Sequence, residues 1–279
     1  MEDRMGTDGG ARFRAGALAF IVVVAMAAAG CGGSTVTPQT IYLTPPPGPV
    51  TPLPSGVTAA PSVGLPTPVI DSVVLSSNAP DNRWTVTFKK PIVSGIDAAA
   101  ATKMNDAIAA KVNALIAAFT GPGLPAVTAG NGPSTLEGDF TIALDSPTLV
   151  SLRFTVLTFV TGAAHPVGQP ASINFVASSG ETINLADLLV DPATGLSTFA
   201  TQAHAALVAS LGADLTWSGS ASSLTFFERA WAMTPGGLEF TWAQGDLASE
   251  AAGMPSAMLP WSAVKSVIKP ASPAGEFVK

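Results

Sequence analysis

The chain has 279 residues, 47% of them hydrophobic and only 11% charged, with a formal net charge of -6. An acidic chain without a basic stripe argues against nucleic acid as a partner, and a single cysteine, Cys31, leaves no intrachain disulfide and no multi-cysteine metal site. Sparse charge with abundant Ala, Thr and Ser suits a secreted or envelope protein, and about 200 residues remain for one α+β domain once the targeting and linker segments are set aside.

Arg4, Arg12 and Arg14 precede a weakly polar to apolar run from Ala15 to Ala29, which closes in Ala28-Ala29-Gly30-Cys31. This is a basic n-region, a short h-region and a small-residue processing site. The run is shorter than the roughly 20 residues that span a bilayer. Its close resembles the lipobox of bacterial lipoproteins, which implies that residues 1–31 form a signal peptide and that Cys31 is lipidated as the mature N-terminus. The expected location is the extracytoplasmic face of the cell membrane, held by lipid on Cys31, with shedding into the medium as the alternative. Residues 32–69 carry no charge and many prolines, a composition that excludes helices and central strands. As an extended, partly polyproline II linker it would reach on the order of 100 Å.

The folded domain is expected over residues 70–269. Trp84, Val86 and Phe88 alternate with polar residues as a strand that opens the domain and ends at Pro91 and Gly95. Asp97 then caps a helix whose stripe is Met104, Ile108, Val112, Leu115, Ile116 and Phe119, stopped by Gly121-Pro122, with Asp106 and Lys111 placed off the stripe and facing water. Phe140, Ile142 and Leu144 predict a strand that pairs with Leu149–Val160 across Asp145-Ser146-Pro147. In the latter, Val150, Leu152, Phe154, Val156 and Val160 alternate with Ser151, Arg153 and Thr155. A further strand carries Ile173 and Phe175.

Residues 181–189 read as a strand end and a helical turn, and Asp191-Pro192 with Gly195 as a break. Leu196, Ala200, Ala203, Leu207 and Leu211 mark a second amphipathic helix ended by Gly212. Two strands are expected around Leu224–Met233 and Leu238–Trp242, joined at Thr234-Pro235-Gly236-Gly237. A short helix then closes the domain at Val264, Val267 and Ile268, and residues 270–279 form a frayed tail.

Gly162-Ala163-Ala164-His165-Pro166, Ser172-Ile173-Asn174-Phe175 and Thr182 through Leu189 resemble successive blocks of the extracellular C-terminal domain of RsiV-type anti-sigma factors. Phe240-Thr241-Trp242, Gly245-Asp246-Leu247, Glu250-Ala251-Ala252-Gly253 and Leu259 through Val264 resemble the same family, especially secreted mycobacterial immunogenic proteins with that fold. The likeness runs from about Asp71 to Ile268. It implies an α+β fold in which two main helices pack on a curved, mostly antiparallel sheet. In RsiV this domain recognises lysozyme, and in some wall-modifying enzymes it accompanies a deacetylase domain. Met1–Arg14 is too short for a sigma-binding domain and no deacetylase domain is present, so what carries over is recognition of an extracellular ligand, a lysozyme-like protein or peptidoglycan.

His165 is the most suggestive single residue. It suits a base, a metal ligand or a pH-sensitive contact, and equally a ring that bonds backbone carbonyls and holds the turn; the structural role is the expectation. His204 borders the second helix's stripe and reads as structural. No Gly-x-Ser-x-Gly elbow and no zinc spacing occur, so the reading is a non-catalytic protein without cofactor or metal. Asp246, Glu250 and Glu239 are the acidic residues nearest the family-like block, and His165, Asp246 and Glu250 are the candidate binding residues. The alternatives are an envelope hydrolase that uses His165 with a carboxylate, and a secreted immunogenic protein that contacts host proteins.

Overall fold

The computed structural model describes residues 64–121, 123–127 and 131–279. The signal peptide, Cys31 and linker residues 32–63 lie outside the described residues.

Five strands form the larger sheet in the order β1 (Val69–Asn78), β2 (Trp84–Ser94), β3 (Ser134–Asp145), β4 (Leu149–Phe159), β5 (Val167–Val176). All neighbours run antiparallel except β2 and β3, which are parallel and are joined through α1 (Ala98–Thr120), the crossover a parallel pair requires. The domain therefore opens one strand earlier than Trp84. β1 is an edge strand exposed along nearly its whole length, so neither face imprints a burial period on the sequence. β2 also runs past Pro91. The parallel pairing with β3 stops at Phe88, and beyond it β2 has only β1 beside it, so the missing Pro91 N–H removes no ladder bond.

Asp97 caps α1 as expected, its Oδ1 accepting from the Ala99 and Ala100 N–H groups at 3.0 Å each. Asn105 ties the helix to β2, donating to Val93 O at 2.9 Å and accepting from Val93 N at 2.8 Å. Met104, Ile108 and Val112 are fully buried against Phe88, Leu152 and Phe154 of the sheet. β3 approaches Phe88 so closely that a Cβ at Gly138 would lie 2.1 Å from its ring. Asp106 is exposed, as expected, but Lys111 is half-buried. Lys111 follows Ile108 by three residues and Met104 by seven, the spacing that returns a side chain to the same face.

The second half forms its own small antiparallel sheet, β6 (Trp231–Thr234), β7 (Gly237–Thr241) and β8 (Ser256–Pro260). α2 (Pro192–Leu211) packs on this sheet, burying Phe199, Ala203 and Leu207 with Phe240 and Leu259. The fold class is α+β, but the two main helices thus serve two sheets rather than one. Asp191-Pro192 starts α2 instead of breaking the chain: Asp191 accepts from Thr194 N at 2.8 Å and proline fits the first helical turn. Gly195 lies inside the helix, where a Cβ would meet Leu189 at 2.6 Å.

The strand expected around Leu224–Met233 is mostly a short helix, α3 (Leu224–Glu228), with Ser223 as its cap; only Trp231–Thr234 is extended. β8 was concealed by Pro255 and Pro260 at its ends. α4 is confined to Trp261–Val264. The last ten residues are docked, not frayed: Ala274 is fully buried, and the Phe277 ring stacks on Trp261 at 4.8 Å and 5°.

Candidate functional site

The two sheets meet in an unusual way. β6 is the edge of the small sheet, and its outward backbone groups need partners. The partners are side chains from the outer face of β4 and β5. Trp231 N–H donates to Ser172 Oγ at 2.9 Å, Asn174 Nδ2 donates to Trp231 O at 3.1 Å, and Met233 N–H donates to Ser151 Oγ at 3.0 Å. Ser151 Oγ in turn donates to Asn174 Oδ1. Ser151 is fully buried, and Asn174 and Ser172 are nearly so. The alternation that sends Val150, Leu152 and Phe154 into the core sends Ser151 and Arg153 to this seam.

Two clefts with polar side chains in their linings open near the start of β6. In the first, Arg153 reaches Glu239 of β7 in an ion pair, in a space of about 250 Å³ that Thr141, Thr155, Thr241 and Ser256 also line. Arg153 Nε is buried without a hydrogen-bond partner among the described residues. The second, of about 280 Å³, lies at the free edge of β5, lined by Lys111, Ser172, Asn174, Thr182, Asn184 and Glu228. Burial pushes the Lys111 amine below the ordinary lysine range. Sequence reasoning set Lys111 in water and did not single out Arg153. The i+3 and i+7 spacing to Ile108 and Met104 was the available signal for Lys111; Arg153 offered none, since its partner lies on a distant strand.

The structure brings two of the three proposed binding residues together. His165 Nε2 lies 2.9 Å from Glu250 Oε2, and Nδ1 lies 3.0 Å from Pro166 O. Both neighbours are acceptors, so the ring satisfies both contacts at once only as imidazolium. Both side chains are about half exposed, and neither lines the two clefts. Asp246 is apart from them, pairing with Arg229 at 3.3 Å and accepting from Ala243 N. Glu239 is not an available surface acid, because it is held by Arg153. Gln244 fixes the His165–Glu250 region to β5, accepting from Gly168 N at 2.8 Å and donating to Glu250 O at 2.8 Å. His204 meets the Trp217 ring edge-on at 5.3 Å. Among the described residues there is no His/Cys/Asp/Glu group able to hold a metal ion, and no helix is long and apolar enough to cross a membrane.

The chain is similar in fold to a solved DUF3298-family protein from Bacteroides fragilis, with a TM-score of 0.50 at 12% identity over 76% of this chain and 97% of that one. A DUF3298-family protein from Pseudomonas aeruginosa gives a TM-score of 0.49 at 15% identity, over 72% of this chain and 94% of that one. No protein-family model matches the sequence, and no curated protein does.

Proposed function

We propose that this is an extracytoplasmic recognition domain, tethered to the membrane through lipid on Cys31 and a proline-rich stalk, which binds an extracellular ligand without transforming it. The ligand classes are a basic protein of the lysozyme type or a glycan of the wall, in keeping with the resemblance to RsiV-type domains. The observation that carries this reading is the pair of clefts beside β6, where polar side chains gather around strands locked together by buried hydrogen bonds. Groups held in place before binding lose little entropy on binding. His165, by contrast, has the Glu250 carboxylate at one ring nitrogen and the Pro166 carbonyl at the other, which suits a turn-holding contact better than a general base.

Calorimetric titration of lysozyme into the chain, at physiological and at raised salt, tests the protein branch. Saturable binding that persists in salt supports it, since a net charge of -6 attracts a basic enzyme nonspecifically only while screening is weak. Sedimentation with purified cell wall tests the glycan branch, and failure of both overturns the reading. For the anchor, Cys31→Ala should release the chain from the membrane fraction; unchanged fractionation would count against lipidation.

A further inference from the structure

We propose that the cleft at the outer edge of β5 is a carboxylate-binding site, with the Lys111 ammonium and the Ser172 backbone N–H as its donors. The argument starts from the edge strand. β5 gives its outward backbone groups to neighbouring loops at both ends: Gln244 bonds Gly168 N and O, while Ile183 N donates to Asn174 O and Val176 N donates to Glu181 O. Outward groups recur every second residue, so those of Pro170 and Ser172 face the same way. Proline has no N–H to leave unpaired at such an edge. Ser172 has one, and it has no partner among the described residues, at the place where the cleft opens; the Asn174 N–H, two residues on, is likewise unpaired among them, although its carbonyl accepts from Ile183.

Lys111 enters the same cleft from α1. Its amine makes no ion pair or hydrogen bond with any described residue, although Glu228 lines the cleft as well. A half-desolvated ammonium without a counter-charge is an unfavourable arrangement that an incoming anion relieves. A carboxylate fits better than a bulky polyanion: there is one cation beside the strand-edge N–H groups of Ser172 and Asn174, and a second acidic group would meet Glu228. The exposed side chains of Thr182 and Asn184 at the rim offer hydroxyl and amide contacts to the body of the ligand. The chemistry is shared by two sources, a sugar acid and the terminal carboxylate of a short peptide.

This inference rests on the recognition reading and locates one site for it. The test is NMR titration of the 15N-labelled full chain with sodium glucuronate and, separately, with N-acetyl-alanyl-alanine, replacing chloride at constant ionic strength. Expected are saturable shifts of the Ser172, Asn174, Ile183 and Asn184 amides with one or both ligands, and none with glucose or the dipeptide amide. The ligand that binds identifies the source. Lys111→Gln should weaken binding at least about tenfold, the scale of one charge-assisted contact, whereas Lys111→Arg should retain most of it. Thr182→Asp, at an exposed position, should weaken binding by repulsion and serves if Lys111→Gln fails to fold. Absence of saturable shifts with both ligands overturns the proposal, as does binding indifferent to these substitutions. A chain that binds lysozyme or wall but ignores both carboxylates would sink this site and leave the recognition reading standing.

Discussion

The seam under β6 and the rim around His165 use similar chemistry in opposite environments. At the rim, a histidine ring nitrogen and a glutamate carboxylate oxygen meet at 2.9 Å with both side chains about half exposed. Water competes for each group there, and holding two side chains costs entropy, so the pair contributes little to stability. At the seam, two serines and an asparagine carry no charge, yet their bonds to Trp231 and Met233 are buried. Loss of a buried partner leaves another group desolvated and unsatisfied, which costs more than a formed bond contributes. The rare residue attracts notice in a sequence, while the common residue in the dry place holds the two sheets together.

The largest expected effect follows from breaking the seam. Asn174→Leu strands the Ser151 hydroxyl and the Trp231 carbonyl together, and should lower unfolding stability by about 2–4 kcal/mol, read as a fall in the urea midpoint. A loss below 0.5 kcal/mol would show that water replaces these bonds and would collapse the contrast. Arg153→Ala comes next. Glu239, only 17% exposed, loses its partner, and a cost of about 1–2 kcal/mol is expected, discounted from the fully buried case because Arg153 is itself 34% exposed. A double-mutant cycle with Glu239→Ala should return a coupling of roughly 1 kcal/mol.

Lys111 sharpens the comparison from the other side, because removing its charge should help. Lys111→Met is expected to raise Tm by about 1–2 °C, since it deletes a poorly compensated ammonium at a site still partly open to water. The pH dependence has a definite sign. The folded-state value is lowered by burial, so the penalty in the wild-type chain is complete below that value. It fades as alkaline pH rises through it toward the ordinary lysine range, because the unfolded chain there holds more protons than the folded one. The advantage of Lys111→Met should therefore shrink with rising alkaline pH; an advantage constant with pH would mean that packing, not desolvation, is responsible. The smallest effect belongs to the rim: Glu250→Gln should change stability by less than about 0.5 kcal/mol, and a loss of 2 kcal/mol would break the comparison outright.

Local pattern made much of the fold legible. α1 with its Asp97 cap, the β3–β4 hairpin and the body of α2 appear where spacing, cap and turn residues put them, because those signals act within a few residues. Three of the misses share a cause. β1 is exposed on both faces, β8 is framed by prolines, and the closing segment is held by a Phe277–Trp261 stack between residues of distinct elements. Each depends on a neighbour supplied by another part of the chain. The candidate site follows the same division: His165 and Glu250 were singled out separately, and only the fold joins them.

The amino-acid sequence by itself determined the α+β class, the strands whose one face is apolar, and the helices with a continuous stripe, because burying apolar surface rewards periodicity directly. Tertiary structure alone decided that there are two sheets and that Ser151, Ser172 and Asn174 close the edge of β6. The reason is that hydrogen bonds and desolvation depend on which group arrives from a distant strand, and no local pattern encodes that arrival.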